Sequence, residues 1–158
     1  MKASFVKLSL LALAFGSVNA FAQSLPYGAP VGLESAKKVV QAASAEMHKK
    51  KLALTIAVVD SGGNLVYLER ADQAPIGTVD AAIGKAKAAN GIKAPTKAIE
   101  EQVLAGKLNL LGIPGAFPVE GGVLLIENNR VIGAIGASGA MPPDDGAVAN
   151  AGAAALKP

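Results

Sequence analysis

Two apolar, β-rich runs separated by a short cluster of turn residues constrain this chain more than any other feature. Leu52 to Val59 is apolar except at Thr55, Asp60-Ser-Gly-Gly-Asn64 follows, and Leu65-Val-Tyr-Leu68 returns. Runs of that kind around Asp, Gly and Asn form a β-hairpin, because those residues accept the backbone angles of a tight turn. The pattern recurs near the C-terminus, where Gly121-Gly-Val-Leu-Leu-Ile126 and Val131-Ile-Gly-Ala-Ile-Gly136 flank Glu127-Asn-Asn-Arg130. Hairpins pair neighbouring strands antiparallel, so the domain is α+β: a mainly antiparallel sheet whose faces the intervening helices must cover.

Helical spacing supplies those covers. From Leu33, apolar residues at Ala36, Val39, Val40, Ala43 and Met47 share one face, while Lys37, Lys38, Gln41 and Lys49 point outward. Lys49-Lys50-Lys51 ends this helix, where cations suit the dipole. Thr78 caps a second helix through about Asn90, with an alanine face at Ala81, Ala82, Ala86 and Ala89 and with Gly91 as its terminator. Thr96, after Pro95, caps a third, and Ile113 to Pro118 is loop. Asp144 or Asp145 starts a last helix running from about Gly146 to Leu156. The 158-residue chain thus holds one domain, residues 33–158, with one core.

What precedes it reads as export machinery. Lys2 and Lys7 give a positive start, Leu8 to Phe15 an apolar run, and Ala20-Phe21-Ala22 a small-residue cleavage site, so residues 1–22 form a signal peptide. The run is shorter than the roughly 20 residues a membrane-spanning helix needs, so no membrane span remains after cleavage. Residues 23–32, with Pro26 and Pro30, form an extended arm. The expected location is the periplasm or the medium.

Composition excludes several chemistries. Of 15 basic residues, Lys2 and Lys7 leave with the signal, so the remainder nearly balances the 12 acidic ones and leaves no nucleic-acid footprint. With no cysteine, disulfides, thiolate metal sites, covalent haem attachment and a Cys nucleophile are all ruled out. Tyr27, Tyr67 and Phe117 are the aromatics left after cleavage, few rings for a stacked flat cofactor. Abundant Ala and Gly suit close subunit contacts.

Catalytic constellations are sparse. Ser138 sits in Gly136-Ala-Ser-Gly-Ala140, which lacks nucleophile-elbow spacing, and a Ser-His-Asp triad would require His48 to reach it. His48, the single histidine, has no partner at zinc-ligand spacing and reads as a surface residue beside three lysines. As a lone axial ligand to haem iron it is nonetheless the best donor the chain offers, with Tyr67 next. Gly133, Gly136 and Gly139 do not match a phosphate loop and read as crowded backbone. Gly121 and Gly122 read either as a bulge or as free amides for an anion. Arg70, Asp72 and Lys85 are the polar groups placed near a pocket, each also explicable as ordinary surface.

A series of motifs in fixed order carries a resemblance. These are Ile56-Ala-Val-Val-Asp-Ser-Gly-Gly-Asn-Leu65, Arg70 with Asp72, Gly84-Lys-Ala-Lys-Ala-Ala89, Ala94-Pro-Thr96, Gly121-Gly122, Val131-Ile-Gly-Ala-Ile-Gly-Ala-Ser-Gly139, and Asp145 to Gly152. Over residues 33–156 the chain resembles the GlcG/HbpS-like family, also called the haem-degrading domain family and related to the C-terminal domain of some cobalamin adenosyltransferases. The resemblance implies a profilin-like α/β/α arrangement around a five-stranded antiparallel sheet, homo-oligomers, and haem or corrinoid binding in some members. Ala71 and Ala88 stand where the family usually has Met and Thr, and Ala137 where it has Val.

The leading expectation is an exported haem- or tetrapyrrole-binding protein, a carrier, scavenger or sensor input rather than an enzyme. Its ligand-binding candidates are His48, Tyr67, Arg70, Asp72, Lys85, Gly121 and Gly122, with His48 as the iron ligand. One alternative is an enzyme or accessory factor of glycolate-type metabolism that holds a small carboxylate by Arg70, Lys85 and the Gly121-Gly122 amides. Another is a structural oligomer without a ligand. On the export reading, N-terminal sequencing of protein recovered from the periplasm or medium should begin at Gln23; a chain that still began at Met1 would contradict it.

Overall fold

The computed structural model describes residues 25–156; the expected signal peptide, Gln23, Ser24, Lys157 and Pro158 lie outside them. The element order is α1 (Leu33–Lys49), β1 (Thr55–Asp60), β2 (Leu65–Arg70), α2 (Thr78–Ile92), α3 (Thr96–Leu104), a short 3₁₀ turn (Leu108–Gly112), β3 (Gly122–Glu127), β4 (Arg130–Ser138) and α4 (Pro142–Ala154). Both expected hairpins form, and β1 joins them through β4 in an antiparallel sheet of order β2-β1-β4-β3. Asp60 shapes the first turn, its Oδ1 accepting the amides of Gly62 (2.9 Å) and Asn64 (2.8 Å). Asn128 and Asn129 make the second, both at positive φ (48° and 56°), as a two-residue hairpin loop requires.

The pleat sorts side chains to two faces. Ile56 and Val58 of β1 and Ile135 and Ala137 of β4 pack with Val39, Val40, Ala43 and Met47 of α1 and Val148 and Ala149 of α4. On the other face, Val59 and Ala134 meet Ala86 and Ala89 of α2. The result is three layers, with α1 and α4 on one side of the sheet and α2 on the other. α2 lies so close that a Cβ at Gly136 would collide with the carbonyl of Ala82 and the amide of Ala86.

Several boundaries differ from the sequence expectation. Among the described residues the sheet has four strands, not five. The arm touches β4 at one parallel bridge, Tyr27 to Val131, two residues before Gly133, where the β1 ladder stops. Pro26 and Pro30 lack the amide hydrogens that a continuing ladder would need. Gly91 does not end α2; the helix runs to Ile92, and Lys93 takes the left-handed conformation (φ 56°). Thr78 and Thr96 begin their helices without capping them, because both hydroxyls bond elsewhere. α4 begins four residues earlier than expected, at Pro142, where a missing amide hydrogen costs nothing.

The two kinds of glycine in α2 and β4 should respond oppositely to a methyl group. Gly91 is exposed in the helix with no atom near its would-be Cβ. Gly91→Ala should therefore raise stability by about 0.5–1 kcal/mol in denaturant unfolding. Gly136→Ala should lower it by about 1–3 kcal/mol, since α2 would have to lift off the sheet.

Candidate functional site

The topology carries most of the predicted site residues to one end of the sheet. β1 begins there and β2 and β4 end there, since Thr55 pairs with both Arg70 and Ser138. β3 also starts there, with Gly122 opposite Gly136. The opposite end carries both hairpin turns.

Lys85 is the largest fully buried side chain, 2% exposed, and its ammonium is satisfied inside the protein. Its Nζ donates to Asp145 Oδ2 at 2.8 Å and to the carbonyl of Ala137 at 3.2 Å. Asp145, also 2% exposed, accepts the amide of Ala140 on Oδ1 at 3.0 Å. Glycines make the space. A Cβ at Gly121, which sits at φ +134°, would meet Lys85 Nζ and the Ala137 carbonyl, and one at Gly122 would strike the Lys85 carbonyl and Thr96. The Gly122 amide donates to Thr96 Oγ1 at 2.8 Å. Lys85, Gly121 and Gly122 are thus brought together, but the ammonium and the Gly122 amide are committed to protein acceptors. Thr96 and Asp145, which complete this cluster, carry no local sequence signal beyond their places at helix starts. A lysine one turn from Ala82 on an alanine face is the one hint that a buried carboxylate is needed.

The remaining candidates lie around the same end but on different faces. His48 is exposed at the last turn of α1, and the neighbouring Lys50 pairs with Asp144 of α4 at 2.9 Å. Arg70 and Asp72 are exposed, and neither makes an ion pair among the described residues. Tyr67 is half-buried and packs against the core on the α1 side. An iron-ligating Tyr67 with Arg70 beside it on one ligand face therefore does not match the structure. Tyr67 pairs with Val58 and Arg70 with Thr55, on opposite sides of the pleat. No group of three or more His, Cys, Asp or Glu side chains able to hold a metal ion occurs among the described residues.

Burial pushes the Asp145 carboxyl above its usual range, opposed by the hydrogen bond and charge of Lys85 and by the amides of Ala140 and Gly139. A carboxyl that binds its proton more readily folded than unfolded adds stability as pH falls through its folded pKa toward the ordinary 3.8. At neutral pH the ionised carboxylate is correspondingly a cost. Removing one partner strands the other charge: Lys85→Met or Asp145→Leu alone should cost about 3–5 kcal/mol in urea unfolding, whereas the double replacement should recover most of that loss. A loss in the double variant equal to the sum of the two single losses would show that the pair is not coupled.

Relatives place this geometry. The model of the family described as haem degrading protein HbpS-like matches residues 31–154. Protein GlcG of Escherichia coli K12 is 36% identical over 106 residues, 66% of this chain and 78% of GlcG. The crystal structure of HbpS superposes with a TM-score of 0.77 at 32% identity, covering 85% of this chain and 95% of that one. The crystal structure of a PduOC:heme complex shares the fold, with a TM-score of 0.73 at 21% identity over 81% of this chain and 96% of that one. A matching family model over nearly the whole domain, together with these relatives, identifies the chain as a member of the HbpS-like family.

Proposed function

We propose that this protein is exported and binds haem or a related tetrapyrrole, as a carrier, scavenger or sensor input. The observation that carries the reading is the likeness to HbpS in both sequence and fold, within a family described as haem degrading. The PduOC:heme complex supports it as a case in which the same fold holds haem.

The geometry is compatible with a ligand laid across one end of the sheet. His48 stands on the α1 side of that end and Arg70 on the α2 side, both exposed. Two cavities, of about 250 Å³ between α3 and the start of α4 and about 270 Å³ beside β3 and α4, are each smaller than the roughly 300–1,000 Å³ of small-molecule pockets. Leu104, Leu108, Leu111 and Ile113 form an exposed apolar stretch around the end of α3. A homo-oligomer that covers them accords with the reading.

Visible absorption titration of the mature domain with haemin tests the function. Saturable growth and displacement of the Soret band are expected, with a weaker and spectrally altered complex in His48→Ala. Tyr67→Phe should leave the spectrum unchanged, because that ring packs against the core. No spectral change with unaltered protein would contradict haem binding.

A further inference from the structure

We infer that the outer edge of β3 is the surface through which two copies of this chain join their sheets, strand against strand. β3 is the last strand in the order β2-β1-β4-β3, so among the described residues no strand pairs with its outer side. The alternation of its backbone is set from both ends. The Gly121 carbonyl accepts the amide of Ala137 on β4 at 2.9 Å, so Gly121 turns inward and Gly122 outward, its amide going to Thr96. At the other end Glu127 pairs with Arg130 across the two-residue turn, which turns Ile126 outward as well. Leu124 lies midway and does the same. Neither Leu124 nor Ile126 has an outer backbone partner among the described residues.

Edge strands are ordinarily protected by proline, lysine or another charge, because unpaired amides and carbonyls are a template for a further strand. β2, at the other side of the sheet, ends in Glu69 and Arg70. β3 reads Gly-Val-Leu-Leu-Ile-Glu, with its single charge at the very end. There is also room beside it. The cavity of about 270 Å³ runs along Leu124 and Ile126, between Pro95 at the start of α3 and Ala153 and Ala154 of α4. Ile126 itself is 40% exposed.

The partner that fits is a second copy of the same strand. An antiparallel pair with its two-fold axis at Leu125 sets Leu124 of each copy opposite Ile126 of the other, and every free amide there meets a free carbonyl. Moving the axis to Leu124 would oppose Ile126 to Gly122, whose amide Thr96 already holds. Moving it to Ile126 would oppose Leu124 to Asn128, which is in the turn at φ 48°. Charge agrees with the same register: Glu127 stands opposite Val123 of the other copy, and the two carboxylates lie at opposite ends of the pairing. Opposed residues share a face, so Ile126 of one copy enters the space beside Leu124 and Pro95 of the other. The two sheets then run on as one, independently of any ligand.

Sedimentation at micromolar concentrations, without haemin, is expected to give a dimer or a multiple of dimers. Ile126→Lys adds an edge charge, and Leu124→Pro removes an amide that the β3–β4 ladder does not use. Each should raise the dissociation constant about a hundredfold or more with the far-ultraviolet circular dichroism retained, while Leu65→Lys on the β2 edge should leave it unchanged. The register has its own readout, because the natural chain has no cysteine. Val123→Cys and Glu127→Cys proteins, mixed and mildly oxidised, should cross-link to each other and not when either is oxidised alone. A monomer, an assembly that both edge variants leave intact, or cross-linking of either cysteine variant alone as readily as of the mixture would overturn the inference. So would a monomer whose Leu124 and Ile126 amides gain exchange protection only from an added apolar peptide, which would assign the edge to a foreign strand.

Discussion

The end of the sheet is organised around one buried ion pair. Lys85 reaches from α2, on one face, to Asp145 at the start of α4, on the other, and on the way takes the carbonyl of Ala137 at the end of β4. The pair can exist only if the strands let the long lysine chain pass. Gly121 and Gly122 provide this, each standing where a side chain would occupy the space that Lys85 or Thr96 fills. Once the lysine is in place, its charge requires Asp145, and Asp145 in turn fixes the loop at Ala140 between β4 and α4. A buried pair of this kind is a poor source of stability, because desolvation offsets most of the attraction. What it contributes is position: it ties the two helix layers together beside Ser138 and the first turn of α2.

The parts of the fold that depend on local pattern were legible in the sequence. The two hairpins followed from apolar runs around Asp60 to Asn64 and Glu127 to Arg130, and α1 from the spacing of Ala36, Val39, Val40, Ala43 and Met47. Errors arose where a distant partner decided the outcome. Thr96 looked like a helix cap, but the Gly122 amide, 26 residues away, takes its hydroxyl. Thr78 is drawn off in the same way by Thr55 and Pro75. The expected fifth strand does not form among the described residues, where Pro26 and Pro30 reduce the arm to a single bridge.

The candidate site divides along the same line. That Gly121 and Gly122 mark a close approach could be read from two adjacent glycines entering a strand. That Lys85 is the group approached could not, because nothing within a few residues of it carries the opposing charge. Tyr67 and Arg70 are near neighbours in sequence, but three residues along a strand reverses the face, so they cannot act on one side of a ligand. Ser138 reads in the sequence as an unsuitable nucleophile and as part of the Val131 to Gly139 motif. Its pairing with Thr55, across 83 residues of chain, sets it at the end of the sheet near the start of α2, which local pattern does not reveal.

The central claim is that ligand chemistry belongs to the end of the sheet where β1 begins and β4 finishes. Ferric haemin is paramagnetic and attenuates the amide signals of nearby residues, so a haemin titration of ¹⁵N-labelled protein locates the ligand directly. The account predicts attenuation around His48, Arg70 to Thr78 and Ser138 to Met141, with the turns at Asp60–Asn64 and Asn128–Asn129 unaffected. Attenuation centred on those turns, or spread evenly over the protein, would contradict it.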